Sequence, residues 1–303
     1  MVTAPATKPP MKQAPPLRGT MTCDRTFQAT ATHYLHQLTA QQKGTSAGEA
    51  PALHAMRVAL TRVRTTIAFF APMVAGAEQI RLAAELKWLN AHLGIVRDLD
   101  VALDRLAKIK PHASVKDQPW KRERTACQRH LTRALRSPRY RRLIRDIAAW
   151  IENGDWSRKR TKNAAERRAQ PAEEYCSDRL KAWRKKLLKK SRKLQEVGAR
   201  KRHRVRLANK RLSYAIEATE TLVPSSETPA MKATLRLLRK THKSLGELND
   251  DARFRALAAA LGEDRVDGSD LALQPKQKKR LLRKAVNAYE ELAGLEPLKI
   301  SSA

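Results

Sequence analysis

"HAMRVALTRVR", residues 54–64, places apolar and basic side chains at the same spacing. At about 100° per residue, Met56, Leu60, Val63, Ile67 and Phe70 fall along one stripe of a helix. His54, Arg57, Thr61 and Arg64 fall along the neighbouring stripe, while Arg62 lies near its far edge. The segment therefore reads as a helix with a core-facing stripe bordered by a basic one. A second stretch, "HRVRLANKRLSY" at 203–214, repeats the pattern. His203, Arg206 and Lys210 take the basic positions, Val205, Leu212 and Ile216 the apolar ones, and Arg211 the far edge. An arginine beside a core must be paired or face a wet cavity, because burying it alone is costly. Two such helices predict a duplicated scaffold whose basic faces line an anion-binding site.

The duplication extends downstream. His54, Arg57 and Arg62 align with His203, Arg206 and Arg211 at an offset of 149, and "LKWLNAHLGIVRDLD" (86–100) resembles "LRKTHKSLGELNDD" (238–251) at an offset of 152. A change in loop length between helices accounts for the drift, and two motifs repeated in one order mark a repeat architecture. Lys87, Asn90, Gly94 and Arg97 share a helix face, matched by Arg239, His242, Gly246 and Asn249. Glycine inside a helix costs about 1 kcal/mol relative to alanine, so its matched placement predicts a close approach or a kink. Asp98 and Asp250 follow four residues after each glycine. They are either caps after a helix break or carboxylates that orient a neighbouring guanidinium.

No alternating strand pattern competes with the helical periodicity. Helices are expected over 22–42, 48–75, 78–110, 119–151, 171–197, 199–223, 228–262 and 274–295. The predicted fold is all-α, a duplicated pair of four-helix bundles with about eight long helices. Residues 1–20, with five prolines, read as a disordered tail; 21–152 as the first half; 153–171 as a basic linker; 172–296 as the second half; and 297–303 as a second tail.

Sixty-two Lys and Arg against 30 Asp and Glu leave the 303-residue chain at +32. Such an excess is self-repulsive and calls for an anionic partner. The runs "RKKLLKKSRK" (184–193) and "KQKKRLLRK" (276–284) read as solvated faces that add long-range attraction. Cys23, Cys127 and Cys176 are odd in number and widely spaced, which fits reduced thiols in a cytoplasm better than a disulfide framework or a zinc site. No apolar run approaches the roughly 20 residues that cross a bilayer. Aromatic residues make up 5%, too few for the stacking platforms that single-stranded nucleic acid favours.

Taken in order, "HAMRVALTRVR", "LKWLNAHLGIVRDLDV", "HRVRLANKRLSYAIE" and "THKSLGELND" resemble the CHAD family, the conserved-histidine α-helical domains, over roughly residues 20–295. The resemblance implies two four-helix bundles around a basic central cavity, binding of inorganic polyphosphate, and recruitment to polyphosphate granules, with granule proteins as further partners. It maps His54, Arg57, Arg62, Arg64, Lys87 and Arg97 onto a first set of polyphosphate-binding residues, and His203, Arg206, Lys210, Arg211 and Arg239 onto a second. Thr61 and Ser213 depart from the pattern, each standing where a basic residue is usual. No catalytic residue, metal ligand or cofactor is expected. Nucleic-acid binding is the first rival reading, without a zinc-finger, RNP or phosphate-loop motif to support it. Polyphosphate cleavage is the second: no ExExK signature occurs, and Asp98 with Asp100 is a thin carboxylate supply for a hard cation.

Overall fold

The computed structural model describes residues 15, 17–109, 118–159, 161–261 and 273–300. Among these, regular structure is helical throughout, apart from an isolated bridge between Thr22 and Pro171. The first half comprises α1 (Cys23–Ala40), α2 (Gln42–Ala47), α3 (Ala50–Phe69), α4 (Ala71–Val74), α5 (Ala77–Ile109), α6 (Gln118–Arg136) and α7 (Pro138–Asn153). Two short helices, α8 (Asp155–Arg158) and α9 (Lys162–Ala169), lead across. The second half comprises α10 (Ala172–Ser191), α11 (Ala199–Ala218), α12 (Thr228–Leu261) and α13 (Pro275–Gly294). The all-α expectation holds.

Three local readings need correction. The single helix expected over 119–151 is two, because Ser137 caps α7 by accepting from the Tyr140 N–H at 3.2 Å. Pro138 fills the next position, where a missing N–H costs nothing. The segment 153–171 is more than a polar linker. It holds α8 and α9, and Trp156 within it is buried, donating to the Trp150 carbonyl at 2.7 Å and meeting the Phe27 ring edge-on at 5.2 Å. The chain ends are docked where they are described. Leu17 is buried and its N–H donates to Thr221 Oγ1 at 3.2 Å, and Leu298 and Ile300 enter the core. The rest of the expected tails, 1–14, 16 and 301–303, lies outside the described residues.

One continuous apolar core runs through both halves, including Leu60 and Leu93 from the first and Leu212, Leu238 and Leu292 from the second. Helix α3 packs against α11, and α5 against α12, so the repeated helices meet each other at the seam. A smaller cluster of Leu99, Ala102, Leu106, Trp120, Phe254 and Ala258 ties α5, α6 and α12 together. Its Trp120 and Phe254 rings stack with centroids 5.0 Å apart. Burying each large apolar side chain contributes about 1.5–3 kcal/mol, so this cluster holds α5 against α12 beside Asp98 and Arg253.

Candidate functional site

The seam brings the two basic stripes together. In the first half Arg57 Nη1 donates to the Gly94 carbonyl at 3.1 Å and lies 3.7 Å from Asp98 Oδ1. In the second, Arg206 lies over the bare backbone of Gly246, its Nε 3.9 Å from where a Cβ would stand. Each arginine thus reaches the glycine of its own half. A Cβ at Gly94 would stand in open space and one at Gly246 in ordinary contact with Arg206, so crowding requires glycine at neither place and the expected close approach is not seen.

The carboxylates sit among these cations. Asp98 is held by Arg57 from its own half and by Arg253 of α12 across the seam. Asp250 draws on Arg206 electrostatically. Both therefore act on guanidinium groups, and since α5 and α12 run on past them, neither is a cap. Burial pushes the Asp98 carboxyl up, against the pull of Arg253 and Arg57. Burial likewise weakens the hold of Arg57 and Arg206 on their protons, and repulsion from Arg253 adds to it for both.

Lys210 is the cation with least relief. Burial first, then Arg206, Arg57 and Arg62, lower its pKa to about 8. Its ammonium sits 5.4 Å from the Tyr214 ring centroid, and among the described residues no carboxylate pairs with it. His54 is pushed down by burial, then by Arg97, Lys210 and Arg57. His203 Nδ1 lies 2.7 Å from Asn249 Oδ1, and Asn249 is the counterpart of Arg97. The two histidines thus keep the same neighbour position in both halves, a cation in one and an amide in the other. His242 is pushed down to about 4 by burial, Arg206 and Lys210. Its buried Nδ1 has no hydrogen-bond partner, and neither does the buried Nε of Arg206. Both atoms lie in the cationic cluster, where Arg206 Nε has a proton to donate to an anion's oxygen.

Of the residues expected at the site, His54, Arg57, Arg97, Arg206 and Lys210 converge here with Asp98 and Asp250. Arg62 and Arg239 are both paired by Glu217, which accepts from Arg62 Nη2 at 3.0 Å and lies 3.5 Å from Arg239 Nη2, with Arg62 still close enough to act on Lys210. Arg62 also lies between the Tyr34 and Tyr214 rings at 5.4 and 5.3 Å. Arg64 and Arg211 lie near each other, and Arg211 lies near Lys190. Lys87 is exposed on α5. Thr61 and Ser213 turn their hydroxyls back onto their own helices, donating to the Arg57 and Asn209 carbonyls at 2.8 and 3.2 Å. Arg253 and His242 complete the cluster, and sequence comparison did not single out either as a ligand. Arg253 has Val101 at the matching place in the first half, so the repeat gave no signal for it.

Among the described residues no group of three or more His, Cys, Asp or Glu could hold a metal ion, and no helix is long and apolar enough to cross a membrane. A family model, the CHAD domain, matches residues 29–265. No curated protein matches the chain. Among solved structures, the crystal structure of the CHAD domain from the plant Ricinus communis superposes with a TM-score of 0.76 at 24% identity. The match covers 96% of this chain and 98% of that one, which makes the likeness one of fold over the whole length.

Proposed function

The chain belongs to the CHAD domain family, and from that premise we propose that it binds inorganic polyphosphate at the seam between its halves, without cleaving it. One observation supports this reading above the others. Arg57, Arg97, Arg206, Lys210 and Arg253 crowd around two carboxylates, and Arg206 Nε and His242 Nδ1 are left buried without partners. A chain of nonbridging phosphate oxygens supplies the negative charge these cations need and an acceptor for Arg206 Nε. Guanidinium forks suit such oxygens, and hydrogen bonds between charged groups are about twice as strong as neutral ones. In this reading Asp98 and Asp250 fix the pose of the arginines, as an acidic partner does for a planar donor fork. Binding of the polymer would then recruit the protein to polyphosphate granules.

The test is a competition assay with the purified chain. Long-chain polyphosphate should hold its place against duplex DNA and RNA at equal phosphate concentration; displacement by either would favour a general polyanion binder. Incubation with polyphosphate and Mg²⁺ should release no orthophosphate, and release would make the protein an enzyme.

A further inference from the structure

Helix α5 carries a face that neither the core nor the seam uses. Leu82, Leu86, Leu89, Leu93 and Val96 are buried, and the Gly94 carbonyl accepts from Arg57. Ile80, Ala84, Trp88, Ala91 and Ile95 fall within about 80° of one another, away from those buried positions, along about 22 Å of helix. Ile80 and Ile95 are 69% and 50% exposed, Ala84 and Ala91 are exposed, and Trp88 is partly buried. Among the described residues three large apolar side chains are exposed, and two of them stand on this stripe. Beside it, α5 and α7 enclose a cleft of about 430 Å³ with Leu82 and Leu143 as its floor. Arg139 of α7 donates to both carboxylate oxygens of Glu85 at 2.7 and 2.9 Å and lies over the Trp88 ring at 4.4 Å, so its guanidinium is fixed at the middle of the stripe. Arg81 pairs with Asp146 at 2.9 Å, and Arg142 is exposed without a carboxylate partner among the described residues. An apolar centre inside a charged rim, anchored by tryptophan and arginine, is the make-up of a protein–protein contact.

We propose that this face docks an amphipathic helix of another protein, apolar along its inner side and acidic beside it. The stripe advances by four, four, three and four residues, the kind of ridge against which a second helix packs. Ala84 and Ala91 let that helix come close, while Ile80, Trp88 and Ile95 supply the contact area. Its acidic flank follows from the rim, where Arg81, Arg139 and Arg142 outnumber Glu85 and Asp146 in a chain of net charge +32. A second copy of this chain is disfavoured, because a two-fold contact brings the same arginines of both copies to one interface. An anionic bilayer suits the face less well, since alanines separate the two isoleucines and leave little apolar surface to enter the headgroup region. Docking here does not depend on what fills the seam.

The probe is a labelled synthetic helix of about 21 residues, long enough to hold helical structure and to cover the stripe, with leucine on one face and glutamate beside it. One control peptide carries lysine in place of glutamate, and the other carries glutamine in place of leucine. By fluorescence anisotropy on the full chain, the acidic apolar helix should bind about tenfold tighter than either control. Ile80→Gln/Ile95→Gln should lose about tenfold in that affinity, and Arg142→Glu should weaken it too, each with unchanged melting temperature and unchanged binding of long-chain polyphosphate. Arg57→Gln/Arg206→Gln should bind the helix as the parent does. Equal binding of either control peptide, no loss in the isoleucine variant, or an equal loss in the seam variant overturns the proposal. So does self-association of the parent, or its binding to phosphatidylglycerol vesicles, that Ile80→Gln/Ile95→Gln abolishes: the face would then belong to a second copy or to a membrane.

Discussion

Replacing Arg57 and Arg206 together by glutamine removes the two arginines that reach the matched glycines, one from each half. Asp98 keeps Arg253 as a partner, so the variant loses ligand contacts without stranding that carboxylate. A hydrogen bond to a charged group contributes about 1.5–3 kcal/mol, so two such losses come to about 3–6 kcal/mol, or about 10²- to 10⁴-fold in affinity. Salt dependence gives an independent measure. By analogy with single-stranded nucleic acid, each neutralised phosphate contributes about −0.7 to the slope of log K against log salt, so losing two cations should flatten it by about 1.4. The assay is equilibrium binding of labelled long-chain polyphosphate across a salt series. The control is Arg141→Gln/Arg145→Gln on α7, where both arginines are exposed and the net charge change is the same. If both variants lose affinity equally, diffuse surface attraction accounts for the binding and the seam has no special role.

Other consequences can be checked separately. Because Lys210 titrates near 8, polyphosphate affinity should fall as pH rises from 7 to 9, and Lys210→Arg should remove most of that decline in a binding titration. The sign for stability is opposite. A depressed lysine makes the native state bind fewer protons than the unfolded chain between about 8 and 10.5, so the ligand-free protein should gain melting temperature over that window as far as Lys210 governs it. Glu217→Gln should lower stability by about 1–2 kcal/mol, a few degrees in a melt, with the polyphosphate salt slope unchanged, because Glu217 pairs with Arg62 and Arg239. Phe254→Ala should cost about 3–5 kcal/mol in chemical denaturation by opening the Trp120 stack. If the α5–α12 contact is independent of that stack, long-chain polyphosphate will bind the variant as well as the parent at temperatures where both are folded.

The repeat was readable because its two motifs recur in order, and the helices because their apolar stripes follow a 3.6-residue period. The Ser137–Pro138 break was also written in the chain, but a continuous apolar stripe on either side masks a cap when periodicity alone is followed. What the sequence could not supply was contact across the seam. Arg253 reaching Asp98, Glu217 drawing Arg62 and Arg239 to itself, and Lys190 joining Arg211 all link residues that have no fixed spacing. Arg62 shows the limit well. Its matched partner Arg211 suggested equivalent roles, yet Glu217 has Ala68 as its counterpart, so one arginine is neutralised and the other is not.

The buried positions of Leu17 and Ile300 bear on how the protein can be handled. A clone trimmed to 29–265, the stretch the family signature covers, would discard α13 and the start of α1 and leave the inner faces of α10 and α12 wet. Such a fragment should precipitate even though it retains most of the inner cluster. An affinity tag joined directly at Ile300 would press on the same interior, whereas a flexible spacer beyond that residue would leave it intact.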